Sequence, residues 1–107
     1  MAETGSNKEL CAVEKAVNLI GSKWSLLILY NLCFAKKGFN ELQRDIGTVS
    51  PRILSLRLQE MVEHGLLQKT VHQTSPPRVD YSLTPAGASL KDIILQLGNW
   101  ADSLEKN

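Results

Sequence analysis

Residues 50–64 read SPRILSLRLQEMVEH, and the punctuation of this stretch decides the fold. Ser50 suits an N-cap, where its hydroxyl accepts from a free backbone N–H of the first turn. Pro51 follows at the first helical position, where a missing N–H costs nothing. Gly65 comes just after the last periodic residue, where a left-handed C-terminal cap favours glycine. The spacing therefore predicts one helix over 50–64. Leu54, Leu58, Met61 and Val62 form its apolar stripe. Arg52, Ser55, Leu56, Gln59 and Glu63 fall on a second face at i, i+3, i+4, i+7 and i+11. A solvated face would look the same on this helix alone. The groups are nevertheless those that read base edges: Arg pairs with guanine, Gln with adenine, Ser with several acceptors, and Leu touches a thymine methyl.

Upstream, Met1–Lys8 is polar and small-residue-rich, and residues 1–9 are expected to be a flexible arm. Leu10–Ile20 has a helical period and stops at Gly21. Ser22 suits the cap of a helix over Lys23–Phe34, which is apolar nearly all round and so belongs in the middle of a domain. Ala35–Gly38 reads as a turn with two lysines. Asn40, with Gln43 three residues on, suits the cap of a short helix over Glu41–Ile46. Gly47-Thr48-Val49 then leads into Ser50. A short helix, a tight connection and a longer helix make a helix-turn-helix.

Downstream the period changes to two. Leu67–Gln73 and Arg78–Leu83 read as strands, with Thr74-Ser75-Pro76-Pro77 as the hairpin tip. In the second strand Val79, Tyr81 and Leu83 share one face. Arg78, Asp80 and Ser82 share the other. Thr84-Pro85 opens a last helix whose stripe runs through Leu90, Ile93, Ile94, Leu97, Trp100, Ala101 and Leu104. The expected fold is mainly α with a small β-hairpin: a winged helix-turn-helix over 10–107, with the wing at 67–83.

The totals fit one domain. There are 107 residues, 43% hydrophobic and 21% charged, with a net charge of +1. Residues 36–78 carry seven Lys or Arg against four acids, so positive charge gathers around the suspected reading helix, as phosphate contact requires. No signal peptide is expected, and the apolar run Leu26–Phe34 is too short for a membrane span. Two cysteines cannot build a disulfide framework, which suits a reducing cytoplasm. His64 and His72 have no metal-ligand spacing with the cysteines. No nucleophile–base pair or phosphate-cradling Gly loop is visible. No cofactor, metal or enzymatic activity is expected.

The chain resembles the HxlR-type transcriptional regulators, relatives of the MarR group. The resemblance runs from Cys11 to about Trp100. It rests on Cys11-Ala12-Val13-Glu14, Ile20-Gly21-Ser22-Lys23-Trp24, Phe39-Asn40-Glu41-Leu42, Ser50-Pro51-Arg52, Arg57-Leu58 and Gly65-Leu66. It continues through Pro76-Pro77-Arg78-Val79-Asp80-Tyr81-Ser82-Leu83-Thr84-Pro85-Ala86-Gly87. It implies a homodimer that binds double-stranded DNA at an inverted repeat, with the first and last helices as the dimer interface. Val13, Val17, Ile20, Ile93, Leu97, Trp100 and Leu104 are the expected interface residues, since these stripes exceed what one small core hides. The other reading is that the last helix covers its own core. Two departures stand out: Ala12 replaces a common Pro, and Leu56 replaces a common polar residue.

Arg52, Ser55, Leu56 and Gln59 are the expected direct-readout set. Arg57 lies beside them, either on phosphate or bracing the fold. Arg78, stiffened by two prolines, suits phosphate or minor-groove contact; the other reading pairs it with Asp80. Lys36, Lys37 and Arg44 are general phosphate candidates, and Ser50 and Asn40 could bond phosphate at helix N-termini. Cys11, at the start of the expected first helix, is a candidate sensor of an oxidant or electrophile, because a helix N-terminus favours thiolate. Its other reading is a small interface residue. A small-molecule effector is equally compatible. The rival reading from another class is a winged helix that binds protein instead of DNA.

Overall fold

The computed structural model describes residues 3–105, with six helices and a three-stranded sheet. Helix α4, Pro51–Glu63, has the expected bounds. Ser50 Oγ accepts from the Ile53 N–H at 3.2 Å. At the other end Gly65 takes φ +78°, donating to the Val62 carbonyl, while Leu66 N–H reaches back to Met61 at 2.9 Å. Those two bonds close the last turn of the helix as a glycine C-cap does. Leu54, Leu58 and Met61 are buried and meet Ile28, Leu29 and Leu32 of α2 (Lys23–Leu32), together with Leu42 of α3 (Phe39–Ile46). The helix-turn-helix thus wraps the all-apolar α2. Val49, 3% exposed, pins the connection, and Gln43 Nε2 donates to its carbonyl at 3.4 Å.

The wing strands are β2 (Leu67–His72) and β3 (Arg78–Leu83), antiparallel from Leu67↔Leu83 to His72↔Arg78. A third strand was not expected. Lys37–Gly38 forms β1 and pairs with β3 through Lys37↔Tyr81 and Gly38↔Asp80, giving the order β1-β3-β2. Two residues carry no periodic signal, so only the distant partner reveals them.

Five further boundaries differ. Strand β2 ends at His72 rather than Gln73. Helix α1 runs Glu3–Ile20, so the expected arm over 1–9 is helical from Glu3, with residues 1–2 outside the described range. Extending an existing helix needs no new nucleus, so polar residues there follow the turns after them. Helix α2 ends at Leu32 rather than Phe34. Asn40 is not a cap: Gly38 is, with its N–H donating to Glu41 Oε1 at 3.0 Å, which leaves Asn40 exposed inside the first turn of α3. The last helix is broken into α5 (Pro85–Ala88) and α6 (Lys91–Glu105). Thr84 both caps α5 through Gly87 N–H at 3.1 Å and donates to the Gly65 carbonyl at 2.6 Å, tying the segment after the wing to the end of α4.

Candidate nucleic-acid interface

The second face of α4 stands free. Arg52, Ser55, Leu56 and Gln59 are all exposed, Leu56 by 44%. Gln59 Nε2 lies 3.4 Å from Glu63 Oε2, a long bond that leaves the amide available. Ser55 and Gln59 share a concavity of about 460 Å³ with Val62, Glu63, Lys69 and Tyr81. The free face of α4 and the wing therefore open onto the same side of the molecule, and Lys69 adds a cation there. Sequence reading passed over Lys69, although its alternation with buried Leu67 places both on the helix side of the sheet.

The other candidates divide. Arg44 and Asn40 are exposed on α3, and Ser50, also exposed, uses its hydroxyl as the α4 cap. Arg57 takes the bracing geometry: its Nη1 lies 2.8 Å from Glu60 Oε1, and its Nε is buried without a hydrogen-bond partner. Lys37 is spoken for. Its ammonium lies 2.7 Å from Asp45 Oδ2 and 3.3 Å from Asn31 Oδ1, and its side chain is only 18% exposed. The hydrogen bond from Lys37 holds the Asp45 carboxyl below its ordinary value. Arg78 does pair with Asp80, through Nε at 3.3 Å, yet its side chain remains 66% exposed, so the pairing leaves most of it open to solvent. Burial pushes the Asp80 carboxyl up, but hydrogen bonds from His72 and Arg78 and their charges outweigh it and leave it below the ordinary value.

The terminal helices also divide. On α1, Leu10, Val13 and Val17 are more than half exposed, whereas Ile20 packs against the core of its own subunit. On α6, Ile93, Leu97, Trp100 and Leu104 are exposed while Ile94, like Leu90 just before the helix, packs inward. Cys11 is exposed in the middle of α1, eight residues beyond its start, so the expected help of a helix N-terminus is absent. Cys33 is half-buried, and burial pushes its thiol up. Among the described residues no His, Cys, Asp and Glu group could hold a metal, and no helix is long and apolar enough to cross a membrane.

The profile of the HxlR-like helix-turn-helix family matches residues 19–107. This chain belongs to that family. It is 39% identical to the HTH-type transcriptional regulator YybR of Bacillus subtilis over 91% of this chain and 78% of that one. Among solved structures, the redox regulator HypR in its oxidised form superposes with a TM-score of 0.82, at 38% identity over 87% of this chain and 96% of that one. The HTH-type regulator ytcD superposes with a TM-score of 0.85, at 32% identity over 89% and 97%. The HxlR-like chain described here is a winged-helix, DNA-binding transcriptional regulator.

Proposed function

We propose that this chain works as a homodimer on an inverted-repeat operator, with α4 in the major groove and the wing on the flanking backbone or minor groove. The observation that carries the reading is the free face of Arg52, Ser55, Leu56 and Gln59, opening onto the same concavity as Lys69 of the wing. A helix presenting one guanidinium, one hydroxyl, one amide and one apolar side chain has the donors and contacts that distinguish base pairs. Arg44, Asn40 and Arg78 supply backbone contacts around it, which position the helix without reading sequence. Dimerisation is supported by two apolar stripes left uncovered: Leu10, Val13 and Val17 on α1, and Ile93, Leu97, Trp100 and Leu104 on α6. Burying such surface stabilises association by about 25 cal/mol per Å² of apolar area before the costs of association.

Cys11 is the proposed oxidant sensor. It is solvent-exposed on the helix that carries part of this stripe, and the relative HypR is a redox regulator. Oxidation there would alter how two copies meet. A compartment that holds DNA in reducing conditions, the cytoplasm, suits both the partner and the free thiols.

Hydroxyl-radical footprinting on a selected duplex tests the geometry. Two protected half-sites with centres about 34 Å apart are expected. A single half-site, or a monomer in sedimentation at the binding concentration, would refute it.

A further inference from the structure

The outer face of the sheet carries a charge cluster that α4 does not use. Pairing sets His72 opposite Arg78 and both Thr70 and Gly38 opposite Asp80. Paired residues share a face, so His72, Arg78 and Asp80 project together, on the side opposite Tyr81 and Leu83, which pack on the core. Asp80 is only 3% exposed. Its Oδ2 takes His72 Nε2 at 2.8 Å and its Oδ1 takes Arg78 Nε at 3.3 Å. Each side chain spends one nitrogen on the carboxylate and keeps others for a ligand: both Nη groups of Arg78, and Nδ1 of His72, which donates when the ring is protonated and whose side chain is 36% exposed. Lys36 and Thr74 complete a concavity of about 250 Å³ with them.

We infer that Lys36, His72 and Arg78, held around Asp80, form a phosphodiester-binding site on the wing whose grip on DNA strengthens when His72 takes up a proton. The site rests on the reading that the wing lies on the DNA backbone. Arginine held at Nε offers its two Nη groups as a fork matched to phosphate oxygens. A buried carboxylate bonded to both side chains fixes their positions before DNA arrives, so little side-chain entropy remains to be lost.

Histidine is the side chain that changes charge near neutrality. With His72 neutral, Lys36 and Arg78 against Asp80 leave a charge of +1; protonation makes it +2. The groups facing the site from neighbouring elements do not reverse this sign. Glu41 of α3, whose carboxylate accepts from the neutral Gly38 N–H, adds one negative charge beside Asp80, so the sums become 0 and +1 and the gain on protonation is the same; Lys37 is on Asp45, and Lys69 points to the other face. Asp80, held below the ordinary carboxylate value, stays ionised near neutrality. A phosphate favours the imidazolium, so binding takes up a proton and affinity rises as pH falls. The rise is at most about tenfold per pH unit per wing.

The test is affinity for one selected duplex at about pH 6 and about pH 8, at fixed ionic strength, for wild type, His72→Gln, Lys36→Gln and Arg78→Ala. Wild type is expected to bind tighter at the lower pH. His72→Gln keeps a donor for Asp80 but takes no proton, and its affinity is expected to be flat. His64→Gln should keep the wild-type response. Lys36→Gln and Arg78→Ala should weaken binding at both pH values and each lower the salt slope of the dimer by about two, one per wing. A wild-type pH response in His72→Gln, beside an Arg78→Ala that does weaken binding, would overturn the proposal and leave the wing on the DNA. An Arg78→Ala with unchanged affinity and salt slope would take the wing off the backbone and overturn the site with it.

Discussion

Lys37 Nζ sits 2.7 Å from Asp45 Oδ2 and 3.3 Å from Asn31 Oδ1, so one ammonium joins the first strand to two helices, α2 and α3. This is a brace for the helix-turn-helix. Lys37→Met is expected to lower Tm, while the salt slope of DNA binding stays within one unit of wild type, because no phosphate contact is lost. The acid response follows from the same pair. The Asp45 carboxyl lies below its ordinary 3.8, so its contribution is fully present above that value and fades as pH falls through the lower, folded-state one. Thermal melts from neutral pH into this range should show a shallower acid loss in Lys37→Met than in wild type.

The cap of α4 makes a separable expectation. Ser50→Ala removes the oxygen that accepts from Ile53 N–H and is expected to cost about 0.5–2 kcal/mol of stability. Urea denaturation measures it. Arg52→Ala, on the free face, should leave the denaturation midpoint unchanged and cost about 1–3 kcal/mol of binding per half-site of the preferred duplex.

The legibility of the chain followed the range of each interaction. Helix α4 could be placed to the residue because Ser50, Pro51 and Gly65 are local signals, and the wing because Val79, Tyr81 and Leu83 alternate. Strand β1 could not, since Lys37 and Gly38 are extended only through pairing with Tyr81 and Asp80 far along the chain. The same distance hid the fate of Lys37 and Ile20. Each carries the right residue type for its expected role, and each is claimed by a partner in its own subunit: Asp45 for one, the core for the other. Asn40 has the side chain of a cap, yet Gly38 is the N-cap, its N–H held by Glu41 Oε1, and a glycine cap leaves no side-chain signature. The polar residues before Cys11 give no apolar period, so the helix that begins at Glu3, and with it the mid-helix position of Cys11, is not legible locally.

The uncovered stripes give an expectation for assembly. Leu97→Glu places a charge on an exposed apolar position of α6 and should shift the sedimenting species to monomer without lowering helix content. Loss of the second half-site contact should then weaken operator binding by about 10²–10⁴-fold. An unchanged dimer would move the interface elsewhere.

Cys11 and Cys33 should separate under oxidant. Thiolate is the reactive form, and burial pushes the Cys33 thiol away from it. Diamide is expected to change the DNA affinity of wild type and of Cys33→Ser, and to leave Cys11→Ser unaffected. Equal responses in all three proteins would remove Cys11 as the sensor.

The most direct measurement is selection of bound fragments from random duplex DNA by wild type, Arg52→Ala and Gln59→Ala. Wild type should enrich an inverted repeat, and each variant should lose base preference at defined positions within both half-sites while still binding DNA. Enrichment of the same repeat, with the same preference at every position, by all three proteins would contradict a reading role for the free face of α4.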